Sequence, residues 1–159
     1  LVCDAGSWYE PHNGVAYFTA KMLQEGTQHK SAQDIAYHID QHGASIYVQV
    51  RPDTCTFTLI TLSKHLVPML TLLAELLLSP TFDEQRLAHL KNLTAQELKV
   101  DAQKNSHIAR KKLKEILFDS THPYGRQLTE TAIADITPVH LRQYYKDQLL
   151  AGCRLLVSG

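Results

Sequence analysis

Between Ser45 and Leu78 the hydrophobic pattern changes its period without an intervening linker. Ser45–Val50 and Thr54–Thr61 are rich in β-branched and aromatic residues and flank Arg51-Pro52-Asp53, a turn sequence. Two such runs around a Pro-Asp turn predict an antiparallel hairpin. From Leu66 the apolar spacing becomes helical, and one helix runs to about Leu78, where Ser79-Pro80 stops it. The chain must therefore combine a paired sheet with helices that follow it directly.

The flanking segments extend this reading. Leu1–Trp8 predicts a strand ending near Gly6, and Asn13 is placed to cap a helix that runs to about Gln24 and closes at Gly26. Ser31 caps a second helix with Asp34 in its first turn, Ile35, Ala36 and Ile39 on its apolar face and Gly43 at its end. A long helix starts near Asp83 with Leu87, Leu90, Leu93 and Leu98 along one face. Another covers roughly 106–118, with Ile108, Leu113, Ile116 and Leu117 as its apolar positions and Arg110-Lys111-Lys112-Leu113-Lys114 as a solvated basic stretch. His122-Pro123-Tyr124-Gly125 is a turn. Short helices follow near 130–135 and 138–149, the second with Thr137 as cap and Pro138 at its first position. Cys153–Val157 reads as a last strand.

Composition narrows the class of function. The 159 residues carry 16 basic and 16 acidic side chains, so the net charge is zero. That balance offers no field to attract nucleic acid or an anionic membrane. Leu66–Leu78 is too short to span a bilayer and is interrupted by Pro68 and Glu75, so no membrane insertion is expected. Three cysteines, Cys3, Cys55 and Cys153, are too few and too scattered for a disulfide framework, and Cys3 and Cys153 are expected to be buried thiols. Strand-like runs at both ends lead to the expectation that residues 1–159 form a single but incomplete domain.

The segment Gly14-Val15-Ala16-Tyr17-Phe18-Thr19-Ala20-Lys21-Met22-Leu23-Gln24-Glu25-Gly26-Thr27 carries the functional information. It resembles the signature of the pitrilysin/insulinase peptidases, the inverted zincins, which reads roughly G-x-A-H-F-x-E-H-M-x-x-x-G-T. The glycines, Ala16, Phe18, Met22 and Gly26-Thr27 match. Gly6-Ser7 with Glu10-Pro11, His42-Gly43-Ala44, Pro80-Thr81-Phe82 and His122–Gly125 follow in the order that family shows. The resemblance implies an α+β fold, a two-layer sandwich of a mostly antiparallel sheet with helices packed on one face.

The same resemblance places the reactive residues. The two metal-binding histidines correspond to Tyr17 and Lys21, and the general-base glutamate to Ala20. Such a site needs two imidazoles one helical turn apart and, as third ligand, a carboxylate from another helix, leaving zinc an open position for water. A phenol, a methyl group and an ammonium supply none of this. The third ligand has a counterpart at Glu97 on the long helix, a vestigial ligand position expected to pair with Lys21. A weaker, surface candidate for metal is the stripe Asp34, His38 and His42, spaced i, i+4, i+8 on one helix.

The resemblance thus implies a non-catalytic, mitochondrial-processing-peptidase-like member that binds no cofactor itself. Zinc is expected in a catalytic peptidase domain or subunit with which it pairs to enclose extended peptides. Self-association is a further expectation. The alternatives are a hydrolase with a site relocated to His38/His42 or His122, and a purely structural subunit.

Overall fold

A computed structural model describes residues 1–119 and 122–159. A three-stranded antiparallel sheet has the order β1 (Val2–Cys3), β3 (Cys55–Ile60), β2 (Ser45–Val50). The hairpin register runs from Ser45 opposite Ile60 to Val50 opposite Cys55. Along β3, Cys55 and Phe57 are buried while Thr58 and Ile60 are exposed, so period-2 alternation directs one face inward.

Helices cover that inner face. The chain's helices are α1 (Val15–Met22), α2 (Ala32–Gln41), α3 (Leu66–Leu78), α4 (Glu84–Asp101), α5 (Asn105–Phe118), α6 (Glu130–Asp135) and α7 (Pro138–Tyr144), the last continuing into a π-helical turn, Tyr145–Leu149; α1 and α2 contact the sheet, and α5 buries no residue. The main core gathers Phe18, Met22 and Leu23 from and just beyond α1, Phe57 from β3, Leu73 and Leu77 from α3, Leu87 from α4 and Leu141 and Tyr144 from α7. A second cluster joins Ile35 of α2 to Met69, Leu72 and Leu76 of α3. The fold is therefore α+β, with the expected small antiparallel sheet and helical layer.

Side chains cap four helices, at Ser31 and Thr137 as expected. Ser31 and Asp34 form a reciprocal capping box on α2, and the side chains of Asp83, Thr129 and Thr137 cap α4, α6 and α7. At α1 the expectation fails. Gly14, not Asn13, is the capping residue and it offers no side chain. Asn13 instead donates to the Gln127 carbonyl at 2.6 Å. The free N–H groups of α1 turn to Glu10, whose carboxylate accepts from Ala16 N–H at 3.0 Å.

Three further expectations are corrected. The first strand is confined to Val2–Cys3, because the chain turns at Ser7–Tyr9. Only a bridge, Val2 to Arg154, forms in the last segment, and Leu155, Leu156 and Val157 are exposed. Cys3 and Cys153 are not free thiols: they form a disulfide across 150 positions of sequence. Their separation along the chain hid a pairing that strand adjacency creates.

Candidate functional site

Helix α1 is the structural centre of the domain. It packs against α7, β2 and α4. Val15, Ala16, Phe18, Thr19, Ala20 and Met22 are all buried. Gly14 has φ +95°, and a Cβ there would lie 2.6 Å from Leu128 Cδ1 and 3.1 Å from Ile136 Cδ1. The backbone angle requires glycine, whereas the Leu128 and Ile136 methyls are side-chain tips that could shift. Burial raises the Glu10 carboxyl above its usual range, against the opposing pull of the Ala16 and Gly14 N–H groups and Arg126.

The other end of the motif is tied to α3 and α4. Thr27 donates to Glu75 at 2.6 Å, and Lys30 meets the other Glu75 oxygen at 2.6 Å. Burial alone would raise the Glu75 carboxyl, yet the Lys30 and Thr27 hydrogen bonds hold it below the usual range. Arg86 of α4 forms an ion pair with Glu25.

Within this frame, Tyr17 and Lys21 stand one turn apart and half-buried, and the Lys21 ammonium lies 5.9 Å from the centre of the Tyr17 ring. That is cation–π range. Ala20 is fully buried and points a methyl group into the core. Burial raises the Tyr17 phenol above its usual value; Thr94 pulls it down and the Glu97 charge pushes it up again. The long helix thus brings Glu97 into the electrostatic neighbourhood of Tyr17.

The expected ion pair is nevertheless absent. Among the described residues no salt bridge joins Lys21 to Glu97. Glu97 is exposed, so water solvates its charge and no buried partner is required. Lys21 takes the aromatic face of Tyr17 instead. A neutral, high-pKa phenol, a methyl group and an ammonium do not fit a zinc ion, and one exposed carboxylate does not compensate.

The Asp34 stripe divides. Asp34 is committed to the capping box, where its bonds to Ser31 hold its carboxyl below the usual range. His38 and His42 lie tilted against each other with ring centres 4.6 Å apart, and His65, from the turn after the hairpin, meets His42 edge-on at 5.0 Å. Sequence reading missed His65 because nothing in the spacing ties that turn to the end of α2. Burial first, then the neighbouring His42 and Lys30, lowers the His38 pKa. Among the described residues, no group of three or more His, Cys, Asp or Glu side chains is arranged to hold a metal ion.

His122 is wedged in an aromatic cluster. Its ring stacks on Phe118 at 5.6 Å and meets Trp8 and Tyr124 edge-on. The Tyr124 N–H donates to its Nδ1, and the Tyr124 hydroxyl donates to Asp53 at 2.7 Å. These contacts fasten the turn to the hairpin.

Comparison with known proteins supplies the remaining findings. Residues 1–132 match the model of the insulinase family, peptidase family M16. A solved structure described as the peptidase M16 inactive domain from Pseudomonas fluorescens superposes with a TM-score of 0.79 and 30% identity, over 90% of this chain and 36% of that one. An uncharacterized zinc protease of Bacillus subtilis, YmxG, is 28% identical over 137 residues, covering 85% of this chain and 33% of the relative. A probable mitochondrial-processing peptidase subunit beta of Arabidopsis thaliana is 25% identical over 160 residues, covering 98% and 30% respectively. The chain therefore spans about a third of the length of these relatives.

Proposed function

Because the chain belongs to the insulinase (M16) peptidase family, we propose that it is a non-catalytic domain of that family which pairs with a zinc-bearing peptidase half or subunit. Its role is to form part of the wall of a peptide-holding chamber. The observation that carries this reading is the state of α1. The frame of the motif is fully packed, while Ala20 is buried as a core residue and Tyr17 and Lys21 are engaged with each other. Proton transfer from water needs a base at hydrogen-bond reach, and a buried methyl group cannot serve.

Two features support a partner role. Strand β2 is at the edge of the sheet, where an extended peptide can add its backbone. The apolar side chains Ile108, Leu113, Ile116 and Leu117 of α5 are exposed, as partner-facing surface would be. The domain reading, a single incomplete family domain over residues 1–159, belongs to the same proposal, with zinc held by the partner.

The test is to prepare the chain alone and together with a homologue that retains an intact H-x-x-E-H motif. Elemental analysis after zinc dialysis should find no stoichiometric zinc on the chain alone. The mixture should cleave extended peptides faster than the homologue does by itself. One tightly held zinc per chain, lost on Glu97→Ala, would defeat the non-catalytic reading. Stable association without any gain in cleavage or peptide binding would favour a purely structural subunit.

A further inference from the structure

All three cysteines of the chain lie side by side. Cys3 on β1 is the ladder partner of Cys55 on β3. On its other side, Val2 and Arg154 exchange backbone hydrogen bonds of 2.9 and 2.7 Å, which sets Cys153 opposite Cys3, and these two are joined as a disulfide. Directly opposed residues in antiparallel pairs project to the same face. The three sulfurs therefore share one face, in the order Cys55, Cys3, Cys153.

The spacing on the unbonded side suits a disulfide as well. Leu1 and Phe57 exchange two hydrogen bonds of 2.8 Å each, so Cys3 and Cys55, two positions along, form the same hydrogen-bonded type of pair. Such pairs have a Cα separation of about 5.5 Å, which is also among the commonest separations for disulfides. Cys55 is free and buried. It sits beside a residue whose sulfur is already bonded elsewhere, and the three cysteines follow one another across the sheet.

We propose that Cys3 is a shared sulfur: Cys55 displaces Cys153 as its disulfide partner, and this exchange decides whether the segment after Gly152 is clipped to the sheet. The step is balanced within the chain. Cys55 gives its proton to solvent base, and the thiolate attacks Cys3 Sγ. The Cys55–Cys3 bond forms as the Cys3–Cys153 bond breaks, and the electron pair leaves on Cys153 sulfur, which takes up a proton. One thiol and one disulfide stand on each side, so no external oxidant or reductant is involved.

The surroundings set the rate and the consequence. Burial pushes the Cys55 thiol up to about 12, so its thiolate is scarce at neutral pH and the native pairing persists. After exchange, the last segment keeps the Val2–Arg154 bridge and the Arg154–Asp4 ion pair but loses its covalent link. That ion pair is exposed and a weak restraint.

The test needs no variant to fold. The oxidised chain is held folded at pH 9 without reductant, quenched in acid at intervals, denatured, alkylated with N-ethylmaleimide and mapped by peptide mass. The alkylated residue is expected to move from Cys55 to Cys153, at a rate independent of protein concentration and about tenfold faster per pH unit. Trypsin should cut after Arg154 faster as the exchanged fraction grows. Cys55→Ser should keep the Cys3–Cys153 bond throughout. The proposal is overturned if the label stays on Cys55, or if label on Cys153 arises only at a rate that scales with protein concentration.

Discussion

Helices α1 and α5 present similar amounts of apolar side chain and opposite fates. Val15, Ala16, Phe18, Thr19, Ala20 and Met22 of the eight residues of α1 are buried, whereas none of the 14 residues of α5 is. Helix α1 is enclosed because α7, α4 and the sheet converge on it. Helix α5 follows α4 but turns its Ile116 outward, 78% exposed. An apolar stripe in a sequence reveals that a surface will be covered, but not which chain covers it. The helix that carries the motif is here the most enclosed element. The plain basic helix carries the open surface.

The contrast can be broken most directly at Phe18. Phe18→Ala, at a fully buried site, should cost about 3–5 kcal/mol in chemical denaturation, by lost transfer energy and the cavity left behind. Replacing Leu113, Ile116 and Leu117 together by Glu should change the stability of the isolated chain far less, roughly within 0.5 kcal/mol per site. The same triple change should weaken association with a zinc-bearing homologue tenfold or more in sedimentation, or the assignment of α5 as partner surface is wrong.

A smaller effect is expected at the start of α1. Glu10→Ala removes the carboxylate that accepts from Ala16 and should cost about 1 kcal/mol, as loss of a helix cap does. The raised Glu10 pKa also fixes a sign. The folded state holds the proton to higher pH than the unfolded chain, so stability falls as pH rises from the ordinary glutamate range through the folded value. Glu10→Gln should remove that falling limb in denaturation curves collected across acidic pH. The smallest effect concerns Lys21 and Glu97. Since they do not pair, the double-mutant cycle of Lys21→Met and Glu97→Leu should show coupling within about 0.3–0.5 kcal/mol of zero. A larger coupling would restore the ion pair expected from sequence.

Much of the fold was legible because it is locally encoded. The hairpin, the Ser31–Asp34 capping box, the Asp83 start of α4 and the Thr137-Pro138 start of α7 are written in short spans, and the structure keeps each. What sequence reading lost is what distance along the chain creates. The Cys3–Cys153 bond and the His42–His65 contact join segments that no local pattern connects. Leu93 was placed on the inner face of α4 but is exposed, while Thr94 is buried in its place and donates to the Leu90 carbonyl. A buried threonine is invisible to a pattern built on leucines. The α1 cap was misread because the acceptor comes from Glu10, ahead of the helix, rather than from the residue next to it.

Gly14 has a consequence for how such chains are recognised. It is required by a left-handed backbone angle, and that reason does not involve zinc. A signature that retains such glycines therefore reports architecture and is silent about reaction. A search scored on the frame of the motif will group working and idle members together. On the non-catalytic reading proposed above, separating them means scoring the three positions occupied here by Tyr17, Ala20 and Lys21.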